Sequence, residues 1–238
     1  MIVPNNVHLS WQGFLTDEIR QELQGIEKQI GENYNPSNSE QILRFLTTDL
    51  EKVRVIWLGQ DVYPMKGVAT GRSFEVGTLE NWQQPFKQVS MKNIIRLIHK
   101  EYNNIQSYNE IKSYEEIKKE IASGTFQLQT PKKWFDALEE QGVLFLNTSF
   151  TCETGKPNSH KEIWAHFSKC VLLYISKVNP DIIWFLWGKE AMGNKPFIEQ
   201  GVFYESRHPM MCSVKYENDF LKFDGFRKTM NIINWLGI

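Results

Sequence analysis

The sequence has few cysteines, almost no net charge and no long apolar run. Its three cysteines, Cys152, Cys170 and Cys212, are odd in number and lack metal-ligand spacing, which favours a reducing, cytoplasmic compartment over disulfide pairing. The net charge of −1 excludes a polycation, although a local basic face would suffice for nucleic-acid binding. No run approaches the roughly 18 apolar residues of a membrane span, and no signal peptide is visible, so we expect no membrane association.

Two common catalytic motifs are also absent. The sequence contains no Gly-x-Ser-x-Gly elbow, which argues against an α/β-hydrolase. It contains no Gly-Lys-Ser/Thr loop of the kind that cradles phosphates. We expect a protein that works without a metal or a cofactor.

Short apolar runs alternate with helical stretches along the chain, as in a parallel sheet with crossover helices. The pattern predicts one α/β domain, residues 1–238, with a central four-stranded, mostly parallel twisted sheet flanked by helices on both faces. The 13% aromatic share is high and is best explained by a well-filled core. The predicted strands cover residues 53–58, 143–147, 182–187 and 202–205. The predicted helices cover about residues 10–31, 39–47, 90–101, 110–122, 131–141, 160–177, 189–199 and 223–236.

Polar residues follow three of the four predicted strands. They are Gly59-Gln60-Asp61, Asn147-Thr148-Ser149 and Ser206-Arg207-His208-Pro209. The carboxyl ends of parallel strands converge on one edge of a sheet, so Asp61, Asn147 and His208 are expected to share a crevice. Each of the three alone is more often a cap or loop residue, but their shared position favours a site.

The motifs that carry these residues resemble those of family 1 uracil-DNA glycosylases. The family's Gly-Gln-Asp-Pro-Tyr-His stands here as Gly59-Gln60-Asp61-Val62-Tyr63-Pro64, and its stacking Phe as Phe74 in Gly-Arg-Ser-Phe-Glu-Val. The strand that ends at Asn147 and the Arg-His-Pro sequence that contains His208 follow in the family's order. The resemblance runs from about residue 35 to the C-terminus, apart from an apparent insertion at about residues 100–128.

The resemblance implies a hydrolase that removes uracil from DNA after base flipping and so initiates base excision repair. By analogy, Asp61 would orient the attacking water near the developing sugar cation. His208 would hydrogen-bond uracil O2 as the base leaves as an anion, and a neutral imidazole suffices for that role.

The resemblance also implies a uracil pocket. Asn147 would pair with uracil N3–H and O4, because an amide offers one donor and one acceptor. Phe74 would stack on the flipped ring, and Tyr63 would exclude the methyl group of thymine. Gln60 would lie near the leaving base.

Six residues are expected to contact DNA. The resemblance aligns Ser90 and Ser213 with the first and third of three serines that grip the backbone, and Met210 replaces the second. Cys212, with Met211 beside it, stands where the family inserts a leucine wedge, so we expect weaker base extraction from duplexes than from single strands. Ser159 and Arg207 are candidates for phosphate binding, although a helix cap and a solvated charge are the plain alternatives. The candidate DNA contacts are therefore Ser90, Ser159, Arg207, Met211, Cys212 and Ser213.

Two further substitutions leave other hypotheses open. Val62 replaces a proline and Pro64 replaces a histidine, an Asp-x-Tyr-Pro ending that also occurs in the poxvirus branch of the family. A DNA-binding or replication-accessory protein with weak or no activity, a glycosylase for a modified base and an unrelated hydrolase are the alternatives. The expected partners are uracil-containing DNA, single- and double-stranded, and an inhibitor protein or a replication partner, bound by a monomer.

Overall fold

A four-stranded sheet forms the centre of the computed structural model, which describes residues 2–238. The strands in chain order are β1 (Tyr34–Asn35), β2 (Val55–Gly59), β3 (Val143–Asn147), β4 (Cys152–Glu153), β5 (Ile183–Trp187) and β6 (Val202–Ser206). The sheet has the order β3-β2-β5-β6 and every neighbouring pair is parallel, while β1 and β4 form a separate antiparallel pair. The predicted α/β fold and the four predicted strands are confirmed, with ends shifted by a residue or two.

Both faces of this sheet are apolar because both are covered. In β2, Val55 and Trp57 face one core, and Ile56 and Leu58 face the other. All four side chains are buried, which explains why the strands appear in the sequence as continuous apolar runs rather than alternating ones.

Helices cover both faces of the sheet. The α-helices are α1 (Asp17–Ile30), α2 (Ser39–Ile42), α3 (Val89–Tyr102), α4 (Tyr114–Ser123), α5 (Pro131–Glu140), α6 (Lys161–Val178), α7 (Lys189–Met192) and α8 (Gly225–Thr229). Helices α1 and α6 pack on the face of Ile56, and α3, α5 and α8 pack on the face of Trp57. Short 3₁₀ turns lie at Leu9–Trp11, Arg44–Thr47, Leu50–Lys52, Tyr108–Glu110, Lys195–Phe197 and Phe220–Lys222.

The aromatic residues form the core, as the sequence predicts. Every tryptophan of the chain is at most 2% exposed. Trp57 lies in the hydrophobic cluster on the face of the sheet that α3, α5 and α8 cover. Its ring stacks on Trp235 at 5.6 Å between ring centres and contacts Trp187 at 5.1 Å. This packing holds the C-terminal segment and the carboxyl end of β5 in fixed positions relative to β2.

Five predicted helices are shorter in the structure. The helix expected over residues 39–47 ends at Ile42 and is followed by a 3₁₀ turn, and the helix expected over 110–122 begins at Tyr114. The helix expected over residues 10–31 begins only at Asp17, where Thr16 caps its first turn. The helix expected over 189–199 ends at Met192. The helix expected over 223–236 ends at Thr229, because the chain turns to bury Trp235, whose indole nitrogen donates to the Phe226 carbonyl and the Thr229 hydroxyl.

The polar segment at about residues 100–128 is ordered and packed against α3. It contains α4, which begins with a reciprocal capping box between Ser113 and Glu116. Ile117 is fully buried, and Nε2 of His99 lies 2.8 Å from a carboxylate oxygen of Glu120. No helix within residues 2–238 has the length and apolar character required to cross a membrane.

Candidate active site

A cavity of about 480 Å³ opens at the carboxyl edge of the sheet, where β2, β3 and β5 end and the chain leaves β6. The strand topology therefore brings together residues that lie far apart in the sequence, as we expected from the strand ends. Seven of the predicted site residues line the cavity: Gln60, Asp61, Tyr63, Phe74, Ser90, Asn147 and His208.

The loops after β2 and β3 are tied to each other. The backbone carbonyl of Gln60 accepts hydrogen bonds from the Ser149 amide at 2.8 Å and the Thr148 hydroxyl at 3.0 Å. This pairing continues the β2–β3 ladder past the ends of the strands and fixes where the next residue, Asp61, projects.

The Asp61 carboxylate has one anchored oxygen and one open oxygen. Oδ2 accepts a hydrogen bond from the Asn158 amide at 2.5 Å, while Oδ1 is buried and has no hydrogen-bond partner within residues 2–238. Burial raises the pKa of Asp61, and the amides of Asn158 and Val62 partly offset that rise. An anchored carboxylate with a free, desolvated oxygen can orient a water molecule or face a developing positive charge.

Asn158 is a site residue that the sequence did not reveal. Its backbone has a φ of +61°, a left-handed conformation that asparagine tolerates better than most residues. The same residue accepts a hydrogen bond at Oδ1 from the Gln60 side chain at 3.0 Å. The only signal in the sequence was a polar residue before a predicted helix, and nothing indicated a contact with Asp61.

His208 is held as a neutral donor. Its Nδ1 accepts a hydrogen bond from the Met210 amide at 3.2 Å, so the ring proton of the neutral imidazole lies on Nε2. Burial lowers the pKa of His208, which favours the neutral form further. Gly188, with a φ of +92°, makes room for this ring, because a Cβ there would lie 2.9 Å from the His208 Cβ.

Asn147 ends β3 directly opposite Gly59 in β2. It is only 4% exposed and lines the cavity. A Cβ at Gly59 would collide with the Asn147 side-chain oxygen, so glycine at this position leaves the amide room beside the cavity. A buried amide offers a ligand one donor and one acceptor in a fixed geometry.

Two aromatic side chains form walls of the cavity. The Tyr63 hydroxyl donates to the Phe74 carbonyl at 3.4 Å, and burial raises the pKa of Tyr63. The Phe74 ring packs edge-on against Trp187 at 5.4 Å. Ser73 ties this segment to β2 through a 2.9 Å bond to the Trp57 carbonyl. The walls are therefore fixed by the core.

Ser90 and Ser159, two of the candidate DNA contacts, lie in different surroundings. Ser90 lies in the first turn of α3 and lines the cavity. The Ser159 hydroxyl instead accepts a hydrogen bond from the Glu153 amide at 2.7 Å. The alternative that Ser159 is the N-cap of a helix does not hold, because His160 occupies the N-cap position of α6.

The loop after His208 exposes methionines and turns its cysteine inward. Met210 and Met211 are 57% and 58% exposed, and Met210 also lines the cavity. The Cys212 thiol is half-buried and donates to the Pro209 carbonyl at 3.4 Å, and burial raises its pKa to about 12. Cys212 is thus poorly oriented to act as a wedge, because its thiol packs against the core cluster. Met210 and Met211 project instead.

The same loop carries the remaining two candidates. The Arg207 guanidinium stacks on the Tyr216 ring at 3.5 Å, and its Nε is buried without a hydrogen-bond partner within residues 2–238. The Ser213 amide donates to the Asp219 carboxylate at 2.6 Å. Within residues 2–238, no group of three or more histidine, cysteine or acidic side chains is arranged to hold a metal.

The fold and the cavity together define an α/β protein with a preorganised carboxylate, a neutral imidazole and a buried amide around a space bounded by aromatic walls. No family model matches the chain. It is 30% identical to the uracil-DNA glycosylase of Francisella philomiragia, over 95% of this chain and 99% of the relative. It is 31% identical to that of Borrelia duttonii, over 79% of this chain and 73% of the relative. The chain belongs to the uracil-DNA glycosylase family.

Solved structures share the fold. The crystal structure of wild-type UNG from Nitratifractor salsuginis matches with a TM-score of 0.73 at 19% identity, covering 98% of this chain and 93% of that one. A mimivirus UNG variant in complex with UGI matches with a TM-score of 0.67 at 18% identity, covering 96% of this chain and 88% of that one.

Proposed function

We propose that this protein hydrolyses the N-glycosidic bond between uracil and deoxyribose in DNA and so initiates base excision repair. The observation that carries this proposal is the convergence of Asp61, Asn147 and the neutral His208 on one cavity from three strand ends. Family membership supports the same activity, since relatives that align over most of their length are named uracil-DNA glycosylases.

The chemistry requires stabilisation of two opposite charges. As the C1′–N1 bond breaks, positive charge develops on the sugar and negative charge on the departing base. In its ionised form the Asp61 carboxylate, anchored by Asn158 through one oxygen, is suited to face the sugar and to orient the attacking water with the other. The Nε2 proton of His208 is suited to donate to uracil O2, where the negative charge accumulates.

Selectivity for uracil would come from the amide and the aromatic walls. The Asn147 amide can donate to uracil O4 and accept from N3–H, whereas cytosine presents the opposite pattern. Tyr63, fixed through its hydroxyl to Phe74, would contact C5 of the base and leave no room for the thymine methyl group. Phe74 would stack on the flipped ring, a contact worth about 1–3 kcal/mol.

Access to the base requires flipping, because the bond is unreachable inside a duplex. The exposed Met211 is suited to enter the gap that the base leaves, with Met210 at the edge of the cavity. The candidates for backbone contacts are Ser90, which lines the cavity, and Arg207 and Ser213, which flank the methionines in the segment after β6. A flexible methionine is a weaker wedge than a branched side chain, so we expect single-stranded DNA to be processed more efficiently than duplex DNA.

The proposed partners are molecules that would bind at the cavity and the loop beside it. The substrates are single- and double-stranded DNA that contain uracil, and a uracil-mimicking inhibitor protein is a further candidate, supported by the mimivirus UNG complex with UGI. We also propose a monomer in a reducing intracellular compartment. The three cysteines, odd in number and all unpaired, support that compartment.

The test is an excision assay with matched variants. Oligonucleotides carrying a single U, T or C are incubated with the protein, and abasic sites are cleaved with alkali. We expect cleavage at U only, lost in Asp61→Asn and His208→Asn. Asp181→Asn is the control, because Asp181 is an exposed carboxylate that precedes β5 at the opposite edge of the sheet. Binding of DNA without any cleavage by the wild type would refute the proposal.

A further inference from the structure

We propose that the part of the polar segment that follows α3, residues 103–128, holds the loop of residues 209–218 in place, a contact that we call the brace. Tyr108 and Asp219 are then positioning residues for the excision of uracil from duplex DNA. The loop carries Met210, which is exposed and lines the cavity, and the exposed Met211 beside it. This inference rests on the proposed function and assigns a role in it to the segment that interrupts the family resemblance.

A buried carboxylate joins the segment to the loop. Asp219 is 0% exposed. Its Oδ2 accepts the hydrogen bond from the Ser213 amide in the loop, and its Oδ1 accepts one from the Tyr108 hydroxyl at 2.9 Å and one from the Leu221 amide at 3.0 Å. A buried carboxylate is stable only when such donors surround it, so the loop and the segment are held by one shared group.

The Tyr108 hydroxyl has the proton that this arrangement requires. Burial and the neighbouring Asp219 carboxylate both raise the pKa of Tyr108, so the phenol stays protonated and donates. Lys222 also links the loop of residues 209–218 to Tyr108. Its ammonium donates to the carbonyls of Val214 at 3.0 Å and Tyr216 at 2.7 Å, and it lies 5.9 Å from the centre of the Tyr108 ring.

A second chain of hydrogen bonds runs from the segment to the residue after His208. The Lys112 carbonyl accepts from Arg96 Nε at 2.8 Å, and Arg96 Nη1 donates to Asn93 Oδ1 at 2.9 Å. The Asn93 amide nitrogen then donates to the Pro209 carbonyl at 2.6 Å. The segment is therefore linked to the methionine-bearing loop at two points, to Ser213 through Asp219 and to Pro209 through α3.

The brace matters for one substrate class. In a duplex, an apolar side chain must enter the base stack and stay there while the base is flipped. If the loop that carries this side chain moves, the side chain leaves the stack. In a single strand no stacked partner needs to be replaced. Weakening the brace should therefore lower excision from duplexes while excision from single strands is kept.

The test uses two tyrosines of the same segment. Tyr108→Phe removes only the hydroxyl that donates to Asp219. Tyr114→Phe is the matched control, because its hydroxyl donates at 2.9 Å to the Trp82 carbonyl and does not contact the loop. We measure single-turnover excision of uracil from a single-stranded oligonucleotide and from the same oligonucleotide in a duplex, and compare the duplex-to-single-strand ratio with that of the wild type.

We expect Tyr108→Phe to lower this ratio about three- to tenfold and Tyr114→Phe to leave it unchanged. In a Met211→Ala background, Tyr108→Phe should lower the ratio no further, because the side chain that the brace positions is gone. An unchanged ratio in Tyr108→Phe, or an equal loss on both substrates, would overturn the inference. A wild-type chain that excises uracil from neither substrate would instead refute the proposed function, which is a distinct result.

Discussion

Replacement of Gly188 by alanine tests how tightly the structure fixes His208. Gly188 follows β5 with a φ of +92°, and an added Cβ would lie 2.9 Å from the Cβ and 3.4 Å from the Cδ2 of His208. Contacts this short force the histidine to move. Since the shortest contact is with the Cβ, whose position does not depend on the rotamer, a change of rotamer alone cannot relieve it.

The expected magnitude has two parts. The left-handed backbone costs an alanine about 1–2 kcal/mol of stability. Displacement of the Nε2 donor from the position of the leaving oxyanion should lower kcat by about 10- to 100-fold, somewhat less than the loss of an entire oxyanion donor. The assay is single-turnover excision from a single-stranded uracil oligonucleotide, with thermal unfolding measured alongside.

Gly124→Ala is the matched control for Gly188→Ala. Gly124 has a φ of +77° at the C-cap of α4, and an added Cβ there meets nothing within 4 Å. Both variants should lose the stability that a left-handed alanine costs, Gly188→Ala should lose more because of its contact with His208, and only Gly188→Ala should lose activity. Equal activity in the two variants would refute the reasoning that His208 is positioned by this close approach.

Three further predictions concern the charge, the wall and the wedge. Asp61→Asn should lower kcat about 100-fold or more. Burial raises the pKa of Asp61 and lowers that of His208, so His208 stays neutral while Asp61 begins to take up a proton. Activity should therefore fall as the pH drops through the raised Asp61 pKa. A kcat/KM profile that stays flat below the ordinary Asp range would contradict the role of an ionised Asp61. Tyr63→Ala should release thymine detectably, whereas Tyr63→Phe should not; thymine release by neither variant would remove Tyr63 as the excluding wall. Met211→Ala should lower duplex excision about tenfold more than single-strand excision, and an equal effect on both would argue against a wedge.

The sequence predicted the sheet and the positions of its reactive ends. Apolar runs such as residues 53–58 are local signals, and the rule that parallel strands share a carboxyl edge is general. Together they placed Asp61, Asn147 and His208 on one crevice, and the structure brings all three to one cavity. The close approach of Gly59 to Asn147 follows from the register of β2 and β3, which pairs these two residues.

Contacts between distant loops were not predictable in this way. The Asn158 amide reaches Asp61 across 97 residues, and its left-handed backbone leaves no periodic signal. Cys212 aligns with a wedge position, yet its thiol packs inward and donates to the Pro209 carbonyl, and the buried Asp219 holds the amide of the next residue, Ser213. The last predicted helix failed because burial of Trp235 outweighed helical spacing.

The most direct test of the central claim is the detection of the free base. The wild-type protein is incubated with a single-stranded oligonucleotide that contains one uracil, and the released base is identified by mass spectrometry. The convergence of Asp61, Asn147 and His208 predicts free uracil, no free thymine or cytosine, and a loss of product in Asp61→Asn. Absence of free uracil with the wild-type protein, or undiminished release by Asp61→Asn, would contradict it.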